Sequence, residues 1–377
     1  MMDLNLLAQV LAFALPIFSA LYCLILLFIN LYFNKHDVFT KRLSFLLVIF
    51  YCIEIVYSIT ILFFIHYKDL SNYVIPVYYF SMLLIPVLLY HIIFKITRLR
   101  KAEEFNFWHY GIPVFFFLLT SVCIVIISRN IFGSLKGGMD AYPEYKSFVL
   151  FLAKLTPFFR LIFSSFYIIL SLHRVFTYRK KIKEYSADIG TSSLAWLYKI
   201  LFCLIILFPI TFVHYFSVVG SLFDYVTIVI RLTLIVIFNS ILCCNIFSKN
   251  FLLLTEDIIF QEKDKISDDN IAGNPIDPVV FEEYMDAEKP YLSHDLKITD
   301  LMAPLGTNRT YLSNFINQYY GMNFSTFINT CRMREIEALR SDPYYKGFEE
   351  EELVYTAGFK SVKSYQRTKH IISELKG

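Results

Sequence analysis

The chain has 377 residues, 56% of them apolar and 18% charged, and a net charge of +3. Soluble domains average roughly 45–50% apolar residues (glycine included) and about 25% charged. A disordered protein is therefore excluded, and so is a wholly soluble one unless the apolar excess is confined to one region. It is confined: nearly all of it precedes residue 250, and the last hundred residues have an ordinary soluble composition.

Seven apolar stretches lie near 8–31, 43–65, 74–96, 109–128, 148–172, 196–219 and 222–247. Each has the roughly 20 residues that a helix rising about 1.5 Å per residue needs to cross a bilayer. The first opens on Met1-Met2-Asp3-Leu4-Asn5, with no Lys or Arg, and reads as a retained helix rather than a cleaved signal. Alternate loops differ sharply in charge. One set holds Lys35, Lys41, Arg42, Lys95, Arg98, Arg100, Lys101, Arg174, Arg179, Lys180, Lys181 and Lys183; the other holds Lys68, Arg129, Lys136 and Lys146. Positive loops stay cytoplasmic, so the N-terminus is expected outside and everything after about residue 248 inside.

Four ionisable residues fall within the expected spans: Glu54, Lys154, Arg160 and Arg231. A charge at the bilayer centre costs at least about 2.5–3.5 kcal/mol on insertion scales. Two readings follow. They line a polar cavity for an anion or a small polar signal, or Glu54 forms a structural ion pair with Arg160 or Arg231, with Asp224 serving another cation. Six of the seven cysteines (Cys23, Cys52, Cys123, Cys203, Cys243 and Cys244) lie in apolar stretches, where a thiol behaves as a small hydrophobe. Cys331 lies in the soluble part. His91 and His214 read as packed or interfacial. No metal-ligand spacing, nucleophile elbow, dinucleotide loop or phosphate loop is present, so no enzyme, cofactor, catalytic residue or metal site is expected.

Residues 248–277 read as a short amphipathic juxtamembrane helix followed by a polar linker with Gly273 and Pro275 near its end. From Pro278 on, short helices alternate with turns. Val279, Val280 and Tyr284 share a face of the first. Lys297-Ile298-Thr299-Asp300-Leu301-Met302 predicts the start of a second, with Thr299 as its cap. Gly306-Thr307-Asn308 supplies a turn, and Arg309 to Tyr320 predicts a third helix closed by Gly321. There Leu312, Phe315, Ile316 and Tyr319 recur at helical spacing and are expected inside. Asn308, Arg309, Ser313, Asn314, Asn317 and Gln318 form the opposite face. Such side chains bond base edges and phosphates when a helix enters a major groove, although any solvated helix face is also polar.

Leu301, Leu305-Gly306, Tyr311-Leu312-Ser313, Gly321 with Phe324, Phe327-Ile328 and Arg332-Met333 closely resemble the first helix-turn-helix and linker helix of AraC/XylS-type transcription regulators. Glu352-Leu353 to Ala357-Gly358-Phe359, with Ser361, Tyr365, Gln366 and Arg367, resembles the second motif. The resemblance covers about a quarter of the chain, residues 278–377. It departs from the family at Pro304, at Met302 and Val354 (usually Ala), and at Lys369 (usually a buried Phe). The closing Pro-containing segment is also missing after Leu375-Lys376-Gly377, so the second motif reads as degenerate or truncated. Residues 291–377 carry eleven Lys and Arg against ten Asp and Glu, which predicts weak non-specific binding to nucleic acid and a need for two copies of the domain.

The expected fold is all-α. A seven-helix transmembrane sensor-like bundle (1–247) leads through a juxtamembrane helix and linker (248–277) to a cytoplasmic double helix-turn-helix domain (278–377). The resemblance implies a multi-pass protein of the bacterial inner membrane that binds double-stranded DNA, as a possible homodimer, in response to a small signal or membrane partner. DNA-contacting positions would be Asn308, Arg309, Thr310, Ser313, Asn314, Asn317 and Gln318 in the first motif, and Ser361, Lys363, Arg367 and His370 in the second. The alternative is a membrane receptor or scaffold whose degenerate domain binds protein instead.

Overall fold

A computed structural model describes residues 4–33, 38–66, 68–99, 103–133, 143–187, 194–215, 222–248 and 276–376. Most of the expected linker, 249–275, and the side chains of Asp224 and His214 lie outside the described residues. The described residues are helical, without a strand. The chain forms two compact units. The first comprises residues 1–96, 104–175 and 195–249; the second comprises 97–103, 176–194 and 250–377.

In the first unit the helices are α1 (Leu4–Phe33), α2 (Val38–His66), α3 (Lys68–Ile96), α4 (Gly111–Gly133), α5 (Pro143–Ile182, whose residues from Phe176 on belong to the second unit), α6 (Ala195–Tyr215) and α7 (Leu222–Phe247). Six apolar segments, Ala14–Phe33, Val38–Phe63, Val74–Ile96, Lys154–Ile182, Ala195–Val213 and Tyr225–Phe247, are long and apolar enough to cross a membrane. The fourth expected span appears among the described residues as the shorter apolar segment Phe107–Cys123. α1 packs on α2 and α7, α2 on α3, α3 on α4, and α6 on α7. Aromatic rings fill the interior. Phe94, Phe105, Phe163 and Tyr167 are buried with Met82, Leu83 and Val87, and Tyr57, Tyr78, Tyr90, Phe116 and Phe159 pack around them. His91 lies flat on Phe105, ring centroids 3.9 Å apart, with its Nδ1 2.7 Å from the Tyr110 hydroxyl. It is a packed residue.

The second unit continues with α8 (Pro278–Glu288), α9 (Arg309–Tyr319), α10 (Phe324–Ser341), α11 (Glu350–Thr356) and α12 (Val362–Lys376). Asn and Asp side chains cap the first three: Asp277 accepts from the Val279 N–H (2.9 Å), Asn308 from Tyr311 (3.0 Å) and Asn323 from Thr326 (3.0 Å). Leu312 and Ile316 are fully buried, as their spacing predicts, and Phe315 is half-buried. Tyr319 is not buried: it is 55% exposed. α9 ends there, and Tyr320 turns inward instead, its ring 4.6 Å from that of Phe327 and 6.0 Å from that of Phe281.

The helix expected to start at Lys297 is only a 3-10 turn, Ile298–Leu301. Thr299 does not cap it; the turn opens at Lys297, whose N–H donates to the Asp300 carboxylate at 2.8 Å. The reason is Pro304, which cannot donate to a carbonyl four residues back and disfavours helical geometry in Ala303. The backbone therefore closes through single turns, with Thr307 N–H donating to the Met302 carbonyl at 3.0 Å.

The region read as degenerate is packed. Leu353, Val354, Ala357, Phe359 and Tyr365 are buried with Ile336 and Leu339 of α10. Arg340 and the Tyr365 hydroxyl both donate to Glu350 Oε1, at 2.7 and 2.9 Å, tying α10, α11 and α12 together. Lys369, where the resemblance implies a buried Phe, stays exposed and holds its ammonium over the Tyr365 ring, 5.9 Å from the centroid.

Gly358 sets the close approach of this region to the turn at Pro290–Leu292. Its φ is +88°, and a Cβ there would lie 2.6 Å from the carbonyl oxygens of both Tyr291 and Leu292. Gly358→Ala should destabilise the second unit by at least about 2 kcal/mol. Cys331 reports this, because burial pushes its thiol up to about 11 and keeps it protonated and unreactive at neutral pH. Alkylation of the Cys331 peptide at pH 8, followed by mass spectrometry, should speed up at least roughly tenfold in the variant.

Candidate functional sites

The first unit contains a cavity of about 140 Å³ whose lining includes Glu54, Tyr57, Arg160, Ser164, Ser171, Thr211 and Arg231 among apolar residues such as Phe50, Leu204 and Phe238. The cavity thus gathers three of the four intramembrane charges named from sequence. Lys154 is exposed and is not among its lining residues. Glu54 does not pair with either arginine. Its Oε1 accepts a hydrogen bond from Asn239 Nδ2 at 3.0 Å, while Arg160 donates to the Tyr57 hydroxyl and lies 5.1 Å over that ring. In an apolar surrounding an amide dipole can serve one carboxyl oxygen without a second buried charge, whose desolvation would be severe, while Glu54 Oε2 is buried without a hydrogen-bond partner among the described residues.

Asn239 was not singled out from sequence, although an amide in a span is itself a signal. It is fully buried and joins three helices. Its Nδ2 donates to Ser19 Oγ on α1 (3.0 Å) as well as to Glu54 on α2, and its backbone carbonyl accepts from the Tyr51 hydroxyl (3.0 Å) and the Cys23 thiol (3.6 Å). Asn239→Leu keeps the backbone carbonyl but removes the hydrogen bond to Ser19 Oγ and leaves Glu54 Oε1 without its donor, and a buried polar group left unsatisfied costs about 1–3 kcal/mol. The variant should lose heat resistance in detergent, whereas the exposed neighbour Ser240→Leu should keep it.

In the second unit, α9 presents Thr310, Asn314, Asn317 and Gln318 to solvent, with Ser313 half-buried and its Oγ 3.4 Å from Asn317 Nδ2. Asn308 is occupied as the cap of α9. On α12, Lys363 and His370 are exposed and Arg367 is half-buried. Ser361 accepts the Ser364 N–H at 3.2 Å through its Oγ and so holds the start of α12. Asn308 and Ser361 therefore shape the two helix starts, and the exposed polar side chains lie farther along each helix.

Arg309 differs from its neighbours. It is half-buried, with its guanidinium 5.6 Å over the ring of Tyr185, a residue of the segment that follows α5. Burial pulls its pKa below the ordinary arginine value, and the nearby Glu184 carboxylate opposes that fall. Segment 183–187 is seated throughout. The Ile298 N–H donates to the Tyr185 carbonyl (3.0 Å), Ala187 to Leu296 (3.1 Å) and Ser325 to Lys183 (3.0 Å). Asn329 Nδ2 reaches the Ala187 carbonyl at 2.9 Å, and Lys297 also points its ammonium at the Tyr185 ring. Tyr185 and Ala187 are fully buried. Nothing in the sequence marks this seat, because most of its bonds run between backbone groups.

Comparison of the chain with family models, with curated proteins and with solved structures gives no match.

Proposed function

We propose that the protein is a membrane-tethered one-component transcription regulator of the AraC/XylS type. Residues 278–377 bind specific double-stranded DNA, and a signal met by the membrane-spanning part alters their availability. The observation that carries this reading is the arrangement of the second unit. Two helical subunits, one with the polar exposed helix α9 and one with the basic helix α12, are joined by the single long helix α10. This arrangement supports the reading because, in helix-turn-helix proteins, each motif offers one helix to a major groove.

In this reading the spans lie in the bacterial inner membrane with the N-terminus outside, as the loop charges require. Asn314 and Asn317 contact base edges, and Lys363 and Arg367 contact phosphates. The cavity around Glu54, Arg160 and Arg231 receives a small polar signal. A homodimer supplies the second domain copy that the nearly neutral charge demands.

The test is cross-linked genomic occupancy of the full-length protein in its host. Asn314→Ala with Asn317→Ala should abolish discrete peaks, since each good base contact is worth about 1–3 kcal/mol, or roughly 5- to 150-fold. On a duplex recovered from such a peak, Lys363→Ala should weaken all sequences alike and reduce the slope of affinity against salt by about one. Peaks that persist unchanged in the double variant would favour the protein-binding alternative.

A further inference from the structure

We propose that the segment after the fifth helix, Lys183–Ala187, is an autoinhibitory clamp: it holds Arg309 at the start of the DNA-reading helix against Tyr185 and so withholds that guanidinium from DNA. The proposal rests on the DNA-binding reading of the second unit. It goes beyond it by naming the segment that passes the state of the membrane half to the reader.

Three observations converge on this segment. It is held by both edges. Residues 185–187 pair antiparallel with 296–298 on one side, and Lys183 and Ala187 accept from Ser325 and Asn329 at the start of α10 on the other. It therefore bridges the turn before α9 and the helix after it. Second, Tyr185 is completely buried, yet its ring faces two cations, Arg309 and Lys297, at 5.6 and 5.9 Å. A ring between two cations is an electrostatic seat rather than an apolar plug. Third, Glu184 attracts Arg309 from the same segment. A carboxylate and an aromatic face replace, for this guanidinium, the phosphate oxygens or base edge it would otherwise meet. Arg309 is the only arginine in α9, so what holds it controls the cationic end of the reading helix.

The route of control is covalent. Segment 183–187 follows directly on α5, which ends at Ile182. A rotation or slide of α5 about its axis would act on the segment within one residue of the clamp, and a shift of about one ångström would break bonds of 2.9 to 3.1 Å. Release leaves α9 with an exposed arginine beside Thr310 and Asn314, and engagement hides it.

The test uses the full-length protein in its host and compares genomic occupancy for wild type, Tyr185→Ala and Glu184→Lys. Tyr185 is buried, so its variant risks unfolding the unit. Glu184→Lys keeps the ring and reverses the charge that attracts Arg309, and otherwise ends only the 3.9 Å pair of Glu184 with Lys181 at the end of α5. Hydrogen exchange of the purified proteins reads the clamp without DNA: the Ala187, Ile298 and Ser325 amides should be protected in wild type and exchange faster in Tyr185→Ala. Both variants should raise occupancy at least fivefold and make it independent of growth condition, and a further Asn314→Ala/Asn317→Ala change should remove the gain. Peaks that are equal in wild type and Glu184→Lys, or unprotected wild-type amides at all three positions, overturn the clamp while leaving the DNA-binding reading standing. No peaks in wild type or in either variant overturn both.

Discussion

The second unit is organised around one buried cation. Arg332 in α10 is 1% exposed, and its guanidinium donates to the carbonyls of Tyr291 (2.7 Å) and Ser293 (2.6 Å) and to the side chain of Asn329 (3.2 Å). A buried charge is tolerated only when its donors are used, and here two of them fix the turn at 290–293. That turn is the surface against which Gly358 comes close, and Phe359 then lies under the guanidinium, 5.8 Å from its ring centroid. Next to it, Lys289 and the Tyr291 hydroxyl converge on Glu335 at 2.9 and 3.0 Å. Burial and that carboxylate hold the Tyr291 hydroxyl well above the ordinary tyrosine range. The two helical halves of the unit thus meet on a scaffold of carbonyls gathered by one arginine.

The membrane-crossing part solves the same problem without a charge pair. Water is absent from a bilayer core, so polar groups there must satisfy one another. Asn239 Nδ2 does this for Ser19 Oγ on α1 and Glu54 Oε1 on α2, and Arg160 finds a tyrosine rather than a carboxylate. Both units therefore use a single long polar side chain to join three segments, one by a charged fork and one by a neutral amide.

How much of this was legible in the sequence follows from where the constraint is written. The bilayer imposes length and composition, so six of the seven expected spans could be read off, the fourth being shorter among the described residues. The inside of α9 imposes a 3.6-residue period, so Leu312 and Ile316 could too. The 3-10 turn at Ile298–Leu301 was misread because apolar spacing suggests a helix there, and one proline several residues later overrides it. Tyr319 and Tyr320 are adjacent tyrosines, and which one turns inward is decided by the end of α9, not by residue type. The clustering of Glu54, Arg160 and Arg231 round one cavity was foreseeable as a set of costly charges. The partner of Glu54 was not, since it depends on which helix α2 packs against. The seat of segment 183–187 is written in backbone amides more than a hundred residues from their acceptors, which leaves no pattern in side-chain identity.

That seat changes what counts as the domain. By composition the soluble part begins near residue 278, and a fragment cut there would carry every helix from α8 to α12. It would lack the chain that accepts from Ile298, Ser325 and Asn329 and gives an N–H to Leu296. Two buried amides and a buried side-chain amide would face solvent, and Arg309 would have no ring to rest on. Such a fragment is a different molecule from the one the intact chain folds, with a different surface at the start of α9. The structural unit is discontinuous in sequence: its missing piece is made with the apolar part, before residues 278–377 are synthesised.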